Sequence, residues 1–179
     1  KANMPTVRGG FYIGVVNNKL YAIGGGNGSG SLTTNEEYDP ATNSWATKAD
    51  MPTARNSFAI GVVADKIYAI GGHNDITAID QNEEYDPNTN SWTTKANMPT
   101  RRFAAASGVV NGKIYVFGGV RTGLTFLTKN EEYDPVSDTW STKADMPTNR
   151  GAFAAGVVNG RIYAIGGVTN STDAIAVNE

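Results

Sequence analysis

The sequence predicts an all-β chain made of short four-stranded antiparallel sheets packed side by side. Three observations carry this. The phrase Tyr-x-x-Gly-Gly begins at Tyr21, Tyr68, Tyr115 and Tyr163, at intervals of 47, 47 and 48 residues. Met-Pro-Thr begins at Met4, Met51, Met98 and Met146 with the same spacing, and Asn-Glu-Glu-Tyr-Asp-Pro begins at Asn35, Asn82 and Asn130. No segment carries an apolar stripe of helical period. A repeat interval this long marks an architecture of stacked supersecondary units. The repeats span about 4–50, 51–97, 98–145 and 146–179, read together as one domain.

The second repeat shows why each element forms. Asn56 to Val63 is a mainly apolar run suited to a strand buried on both faces. Ala64-Asp65 separates it from a second apolar run, 66–71. The other repeats place Asn17-Asn18, Asn111-Gly112 and Asn159-Gly160 there, residues that accept positive φ in a tight hairpin turn. Gly71-Gly72 ends the second strand, where paired glycines signal positive φ or a close backbone approach. Asn82 to Tyr85 is a third short strand, closed by the turn formers Asp86 to Asn90. A fourth follows at 92–95. The strands expected elsewhere are 9–16, 19–24, 34–38 and 45–48; 103–110, 113–118, 130–133 and 140–143; and 151–158 and 161–166, with a stub near 176–179. A sheet of this kind cannot bury both faces alone, and radial packing against its neighbours solves that problem.

Composition narrows the function classes. A net charge of −2 and the absence of any dense Lys/Arg stretch leave no footprint for nucleic acid. No apolar run approaches the roughly 18 residues of a spanning helix, so no membrane insertion is expected. With no cysteine in the chain, disulfides, thiol catalysis and Cys-based zinc sites are all excluded. The abundance of Asn, Thr, Ser and Gly leans towards a secreted or cell-surface protein. Both ends cut into repeats, Lys1 to Thr6 matching Lys95 to Thr100, so the chain reads as a segment of a longer one.

Together, an Arg four residues after each Met of Met-Pro, the Tyr-x-x-Gly-Gly strand end, Glu-Tyr-Asp-Pro and a Trp about seven residues beyond resemble the kelch repeat. The likeness covers the whole chain. It implies a β-propeller of the kind that usually has six or seven blades, with each first strand lining a central channel and each fourth at the rim. About four blades are expected here, the fourth lacking its outer, Trp-bearing strand.

Two sets of shared residues read as scaffold. Arg8, Arg55, Arg102 and Arg150 fall in one column and could form an anion site, but an arginine entering a desolvated sheet needs a carboxylate or backbone carbonyls. The glutamate pairs Glu36-Glu37, Glu83-Glu84 and Glu131-Glu132, with Glu179 in the fourth repeat, supply the carboxylates. Glu37, Glu84 and Glu132 are the structural glutamates expected on this reading. Tyr38, Tyr85 and Tyr133, with Trp45, Trp92 and Trp140, recur once per blade and so face successive seams. Packing accounts for them better than a sugar-stacking surface.

Function is sought where the copies differ. Met to Tyr is 17 residues in all four repeats and Asn-Glu-Glu to the next Met is 16 in three. All length variation therefore lies in 26–34, 73–81, 120–129 and 168–177. Strand alternation puts these segments on one face with the Met-Pro-Thr connectors, and the Asn-Gly and Asp-Pro turns on the other. Loops on a rigid scaffold are where binding usually resides. The candidate binding residues are Asn27, Ser29, His73, Asn74, Asp75, Arg101, Arg121, Thr122, Asn170 and Asp173, with Asn56 and Ser57 just inside the mouth. Asn27-Gly28-Ser29 and Asn170-Ser171-Thr172 also match the glycosylation acceptor pattern. Unconstrained loop drift is the competing explanation. The single histidine, His73, makes no metal set with Asp75, Asp80 or Asp173, and no metal or cofactor is expected.

The favoured function is a non-catalytic module whose loop face meets a protein or a glycan. Two alternatives stand beside it: a segment of a kelch-type carbohydrate-active enzyme such as a sugar mutarotase, and a structural extracellular repeat. Galactose-oxidase-like chemistry is not open to a chain without cysteine and with one histidine. The incomplete fourth blade leaves a free sheet edge, from which self-association or domain swapping is expected.

Overall fold

The computed structural model describes residues 1–170 and 173–179. The first blade holds β1 (Tyr12–Val16), β2 (Lys19–Ile23), β5 (Asn35–Asp39) and β6 (Ser44–Thr47), with a two-residue hairpin, β3 (Gly26–Asn27) and β4 (Gly30–Ser31), in its loop. The second is β7 (Ala59–Val63), β8 (Lys66–Ile70), β9 (Asn82–Asp86) and β10 (Ser91–Lys95). The third has β11 (Ala106–Val110), β12 (Lys113–Phe117), β15 (Asn130–Asp134) and β16 (Thr139–Thr142), with a second loop hairpin, β13 (Val120–Arg121) and β14 (Thr125–Phe126). The fourth has β17 (Ala154–Val158) and β18 (Arg161–Ile165). The first three blades are four-stranded antiparallel meanders, and β17–β18 is a two-stranded pair. Ala164 and Glu179 exchange both backbone hydrogen bonds beside β18, so the expected stub of a third strand is present.

Two expectations change. The innermost strands start three residues later than predicted, because Gly10, Ser57, Ala104 and Ala152 have φ between 51° and 60° and interrupt the ladder. The residue before each makes a single bridge instead: Gly9 to Gly26, Asn56 to His73, Phe103 to Val120 and Gly151 to Val168. The interrupting residues link blade to blade, since Ser57, Ala104 and Ala152 donate N–H bonds to the carbonyls of Gly10, Ser57 and Ala104. The variable segments, read as loops, also contain the two small hairpins.

The inner turns take the predicted form even where the sequence is unusual. Ala64 and Asp65 sit at φ 49° and 58°, like Asn17 and Asn18 at 50° and 60°. Geometry at this turn overrides alanine's reluctance to enter the left-handed region.

Blades pack through a knob-and-hole contact. A Cβ at Gly14, Gly61 or Gly108 would lie 2.8, 2.8 or 3.1 Å from Ile67, Ile114 or Ile162 of the next blade. At the first seam Tyr12, Val16, Tyr21 and Ile23 meet Met51, Phe58, Ile67, Ala69 and Tyr85. The second repeats this set around Ile70, Met98, Ile114, Val116 and Tyr133. The third is smaller, built on Ala106, Phe117 and Ala164 with Met146, Phe153 and Ile162 partly covered. Gly156, the matching hole on the fourth blade, has nothing within 4 Å of a built Cβ.

This asymmetry gives a paired prediction. Gly61→Ala should destabilise the chain by about 1–3 kcal/mol through overpacking against Ile114. Gly156→Ala should stay within about 0.5 kcal/mol of the parent. Urea denaturation of the two variants checks this, and equal losses would refute the seam geometry.

Candidate functional site

The loop face is built on the arginine column. Strand two runs into a glycine pair with φ of 59° and 92° at Gly24-Gly25, and of 65° and 107° at Gly71-Gly72. These turns curl the chain around an arginine whose side chain is fully buried in every blade. Arg8 donates to the carbonyls of Ala22, Gly24 and Thr34 at 2.9, 3.2 and 2.8 Å. Arg55 donates to Ala69, Gly71 and Gln81, and Arg150 to Ala164, Gly166 and Val177. Arg102 donates to Val116 at 2.8 Å. In three of the blades the guanidinium thus holds both ends of the variable loop.

The carboxylate partner is the first glutamate of each pair. Arg8 forms an ion pair with Glu36 at 2.7 Å, Arg102 with Glu131 at 2.9 Å and Arg150 with Glu179 at 3.0 Å, with Arg55–Glu83 the equivalent pair. Glu37, Glu84 and Glu132 are therefore structural in a different way from that expected. Alternation along the strand turns them to the opposite face of the sheet. There Tyr21 and Tyr68 donate to Glu37 and Glu84 at 2.6 and 2.7 Å, and Lys19, Lys66 and Lys113 pair with the three carboxylates. Burial lowers the pKa of Arg8, Arg55 and Arg102, opposed by the charge of Glu36, Glu83 and Glu131. Burial also raises the Tyr85 phenol to about 12.

Sequence reasoning missed the threonine of Met-Pro-Thr. Thr6, Thr53 and Thr100 donate to Glu36, Glu83 and Glu131 at 2.7, 2.7 and 2.6 Å, and Thr148 does the same to Glu179. Its presence in all four copies was the available signal. The tryptophans are half-buried rather than enclosed. Trp92 and Trp140 stack on Tyr85 and Tyr133 with ring centroids 5.1 and 5.0 Å apart. Their indole N–H groups donate at 2.8 Å to the carbonyls of Ala49 and Ala96 in the linkers from the preceding blades. Trp45 donates likewise to Ala2.

The candidate binding residues fall into separate groups on the loop face. At the first seam Asp75 accepts from the Ser31 hydroxyl at 2.7 Å and its backbone N–H at 2.6 Å, and Asn56 donates to the Ser31 hydroxyl at 2.8 Å. These contacts hold the Asp75 carboxyl below its usual range. His73 is half-buried, with its ring edge-on to Phe103 at 5.1 Å and its Nδ1 accepting the Asp75 N–H. Asn74 caps the same loop by accepting from Ile76 and Thr77. Ser57 serves the blade-to-blade backbone links described above. Asn27 and Ser29 bond each other at the exposed tip of the first loop. Asn170 and Asp173 bond each other on the fourth, and Ser171 and Thr172 lie outside the described residues.

The second seam is the open part. Thr77 and Thr122 share a 2.8 Å hydroxyl contact, and the Ala78 N–H donates to Thr122. Together with Arg101 and Arg121 they line a cleft of about 200 Å³. It adjoins a shallower one of about 520 Å³ bounded by Asp80, Pro99, Thr100 and both arginines. Arg101 pairs with Asp80 at 3.1 Å and is two-thirds exposed. The surface thus offers two guanidinium forks, hydroxyls and one carboxylate to polar partners.

The channel mouth differs in character. A cavity of about 340 Å³ there is lined by Tyr12, Ala59, Ile60, Ala105, Ala106, Ser107, Phe153, Ala154 and Ala155. None of these carries a charge at neutral pH; the titratable group among them is the Tyr12 phenol, whose pKa burial raises. Among the described residues no three His, Cys, Asp or Glu side chains are grouped to hold a metal ion.

Comparison with known proteins bears on this framework. The family described as the KLHDC2/KLHL20/DRC7 Kelch-repeats domain matches residues 1–119, and the Kelch motif matches 101–147. Among solved structures, YjhT superposes with a TM-score of 0.86 at 18% identity, covering 97% of this chain and 62% of that one. The chain therefore spans less than two thirds of YjhT, and the likeness shows the fold alone. No curated protein matches the chain.

Two predictions follow from the buried charges. Glu83→Ala should cost about 3–5 kcal/mol by leaving Arg55 without its partner, whereas Arg101→Ala at an exposed pair should cost under about 1 kcal/mol. Chemical denaturation separates them. For Glu132, burial acts to raise the pKa, but donors on Tyr115, Lys143 and Lys113 outweigh it and bring the value down to about 2. The folded state then binds the proton less well than the unfolded chain. This contribution is complete above about pH 4.5 and is lost as pH falls towards 2. Stability measured across that window should fall less steeply in Glu132→Gln than in the parent.

Proposed function

The chain belongs to the kelch-repeat family, and on that premise we propose that it is a non-catalytic binding module. Its variable loops meet a protein or glycan partner at the seam between the second and third blades. The observation that supports this most is the division of labour among polar groups. The repeated Arg, Glu and Thr side chains are consumed by the scaffold, while Arg101, Arg121, Thr77 and Thr122 converge on an open cleft. Guanidinium forks and hydroxyls there suit carboxylate-bearing or polyhydroxylated surfaces. At the channel mouth the groups that could move a proton are the Tyr12 phenol, its pKa raised by burial, and the Ser107 hydroxyl, with no carboxylate or imidazole beside them, which favours the binding reading over the sugar mutarotase alternative.

A glycan array and a panel of extracellular-matrix proteins, probed with the chain and with an Arg101→Ala/Arg121→Ala double variant, test this reading. Binding that the double variant weakens at least tenfold, and that an Asn111→Ala/Asn159→Ala variant on the opposite face retains, is expected. Binding unaffected by the loop-face change, or turnover of any bound sugar, would contradict it.

A further inference from the structure

Asparagine is followed by glycine three times, at Asn27-Gly28, Asn111-Gly112 and Asn159-Gly160, and all six residues are exposed. Asparagine is among the thermolabile residues, and glycine has no Cβ to shield its backbone nitrogen. A Cβ built on Gly28, Gly112 or Gly160 would meet nothing within 4 Å, so solvent reaches all three nitrogens. The sites share a dipeptide and an exposure. What separates them is the fold.

Asn111 and Asn159 lie inside the two-residue turns of β11–β12 and β17–β18, both at φ 51°. Val110 pairs with Lys113 and Val158 with Arg161, so each turn is closed by a ladder of five residue pairs. Asn27 stands before its turn instead. It pairs with Gly30, Gly28-Ser29 makes the turn, and β3 and β4 are only two residues long. Its Oδ1 accepts the Ser29 N–H at 2.9 Å. A contact of this kind curls the carboxamide back over the peptide that follows, which brings Cγ to the Gly28 nitrogen. Among the described residues neither Asn111 nor Asn159 makes such a bond.

We propose that Asn27 is a site of self-modification, deamidating through a cyclic imide closed by Gly28. Water or hydroxide takes the Gly28 amide proton as the nitrogen attacks Cγ. The Ser29 N–H stabilises the negative charge that develops on Oδ1. The N–Cγ bond forms, the Cγ–Nδ2 bond breaks, and ammonia leaves after taking a proton from solvent. Water then opens the imide at one of its two carbonyls and leaves aspartate or isoaspartate. In the two hairpin turns the same closure has to rotate a peptide that both strands hold, and no backbone donor assists it.

The change falls where the first two loops are joined. Gly30, the partner of Asn27, lies so near Asp75 that a built Cβ would be 2.9 Å from its carboxylate, and Ser31 donates to Asp75 through both its N–H and its hydroxyl. Conversion sets a second negative charge beside that tie and, in isoaspartate, lengthens the backbone by one carbon. It also removes the acceptor asparagine of Asn27-Gly28-Ser29. The cleft at Arg101 and Arg121 takes no part, so this modification stands apart from the binding proposal.

The test incubates the 179-residue chain in mildly alkaline buffer, folded and in urea, with samples digested by trypsin at intervals. The three asparagines fall in separate fragments, 20–48, 103–113 and 151–161, and fragmentation in the mass spectrometer assigns each conversion to its residue. In the folded chain Asn27 should convert roughly tenfold faster than either of the others, the factor that one hydrogen bond to a charged oxygen gives. In urea the three rates should come together. Equal rates in the folded chain, or slower conversion at Asn27, would overturn the proposal. So would a lead for Asn27 that persists in urea, since it would then owe nothing to the fold.

Discussion

The arginine at the base of each loop is the constraint on which the rest of the structure depends. A charged side chain with no exposure has to be surrounded by acceptors. Around Arg8, Arg55 and Arg150 they come from three segments that are distant in sequence: the end of strand two, the end of the variable loop and the first glutamate position of strand three; Arg102 has the Val116 carbonyl and Glu131. The arginine backbone extends the tie to the previous blade. The carbonyls of Arg55, Arg102 and Arg150 accept the N–H groups of Gly25, Gly72 and Gly119. A buried ion pair adds little net stability over well-packed apolar groups. What this one supplies is position, because a planar fork directed at carbonyls and a carboxylate tolerates little displacement.

That node explains how the loops differ in length without disturbing the fold. Their ends are pinned by backbone bonds, Gly24 to Thr34, Gly71 to Gln81, Gly118 to Lys129 and Gly166 to Val177, whether nine or ten residues intervene. Sequence change is then absorbed above the pins, where one loop forms a hairpin tip at Asn27 and another opens the cleft at Arg121 and Thr122. The loops are nevertheless not independent, since Ser31–Asp75 and Thr77–Thr122 join neighbours across the seams.

Much of this was legible in the sequence, and what was not has physical causes. Repetition exposed the blade, the seam aromatics and the elastic segments, and the hairpin turns could be placed even at Ala64-Asp65. The glutamate pair was harder. Adjacent strand residues point to opposite faces, so choosing between Glu83 and Glu84 needs the pairing register, which a motif of adjacent letters does not carry. The late start of the inner strands had the same origin: positive φ at Ser57 and Ala104 is imposed by contact with neighbouring blades, not by local propensity. The cleft at Arg101 and Arg121 was half visible, because both residues stood out as candidates. Its partner Thr77 lay in the variable segment without a distinguishing pattern.

Amide hydrogen exchange on an Arg55→Lys variant tests the central claim most directly. The lysine keeps the charge and loses the fork that holds Gly71 and Gln81. The account predicts that the loop-base amides of Gly71, Gly72 and Ile79 exchange faster than in the parent while those of Ile67 and Ala69 inside β8 keep their protection. Loop-base amides as protected as in the parent would contradict it.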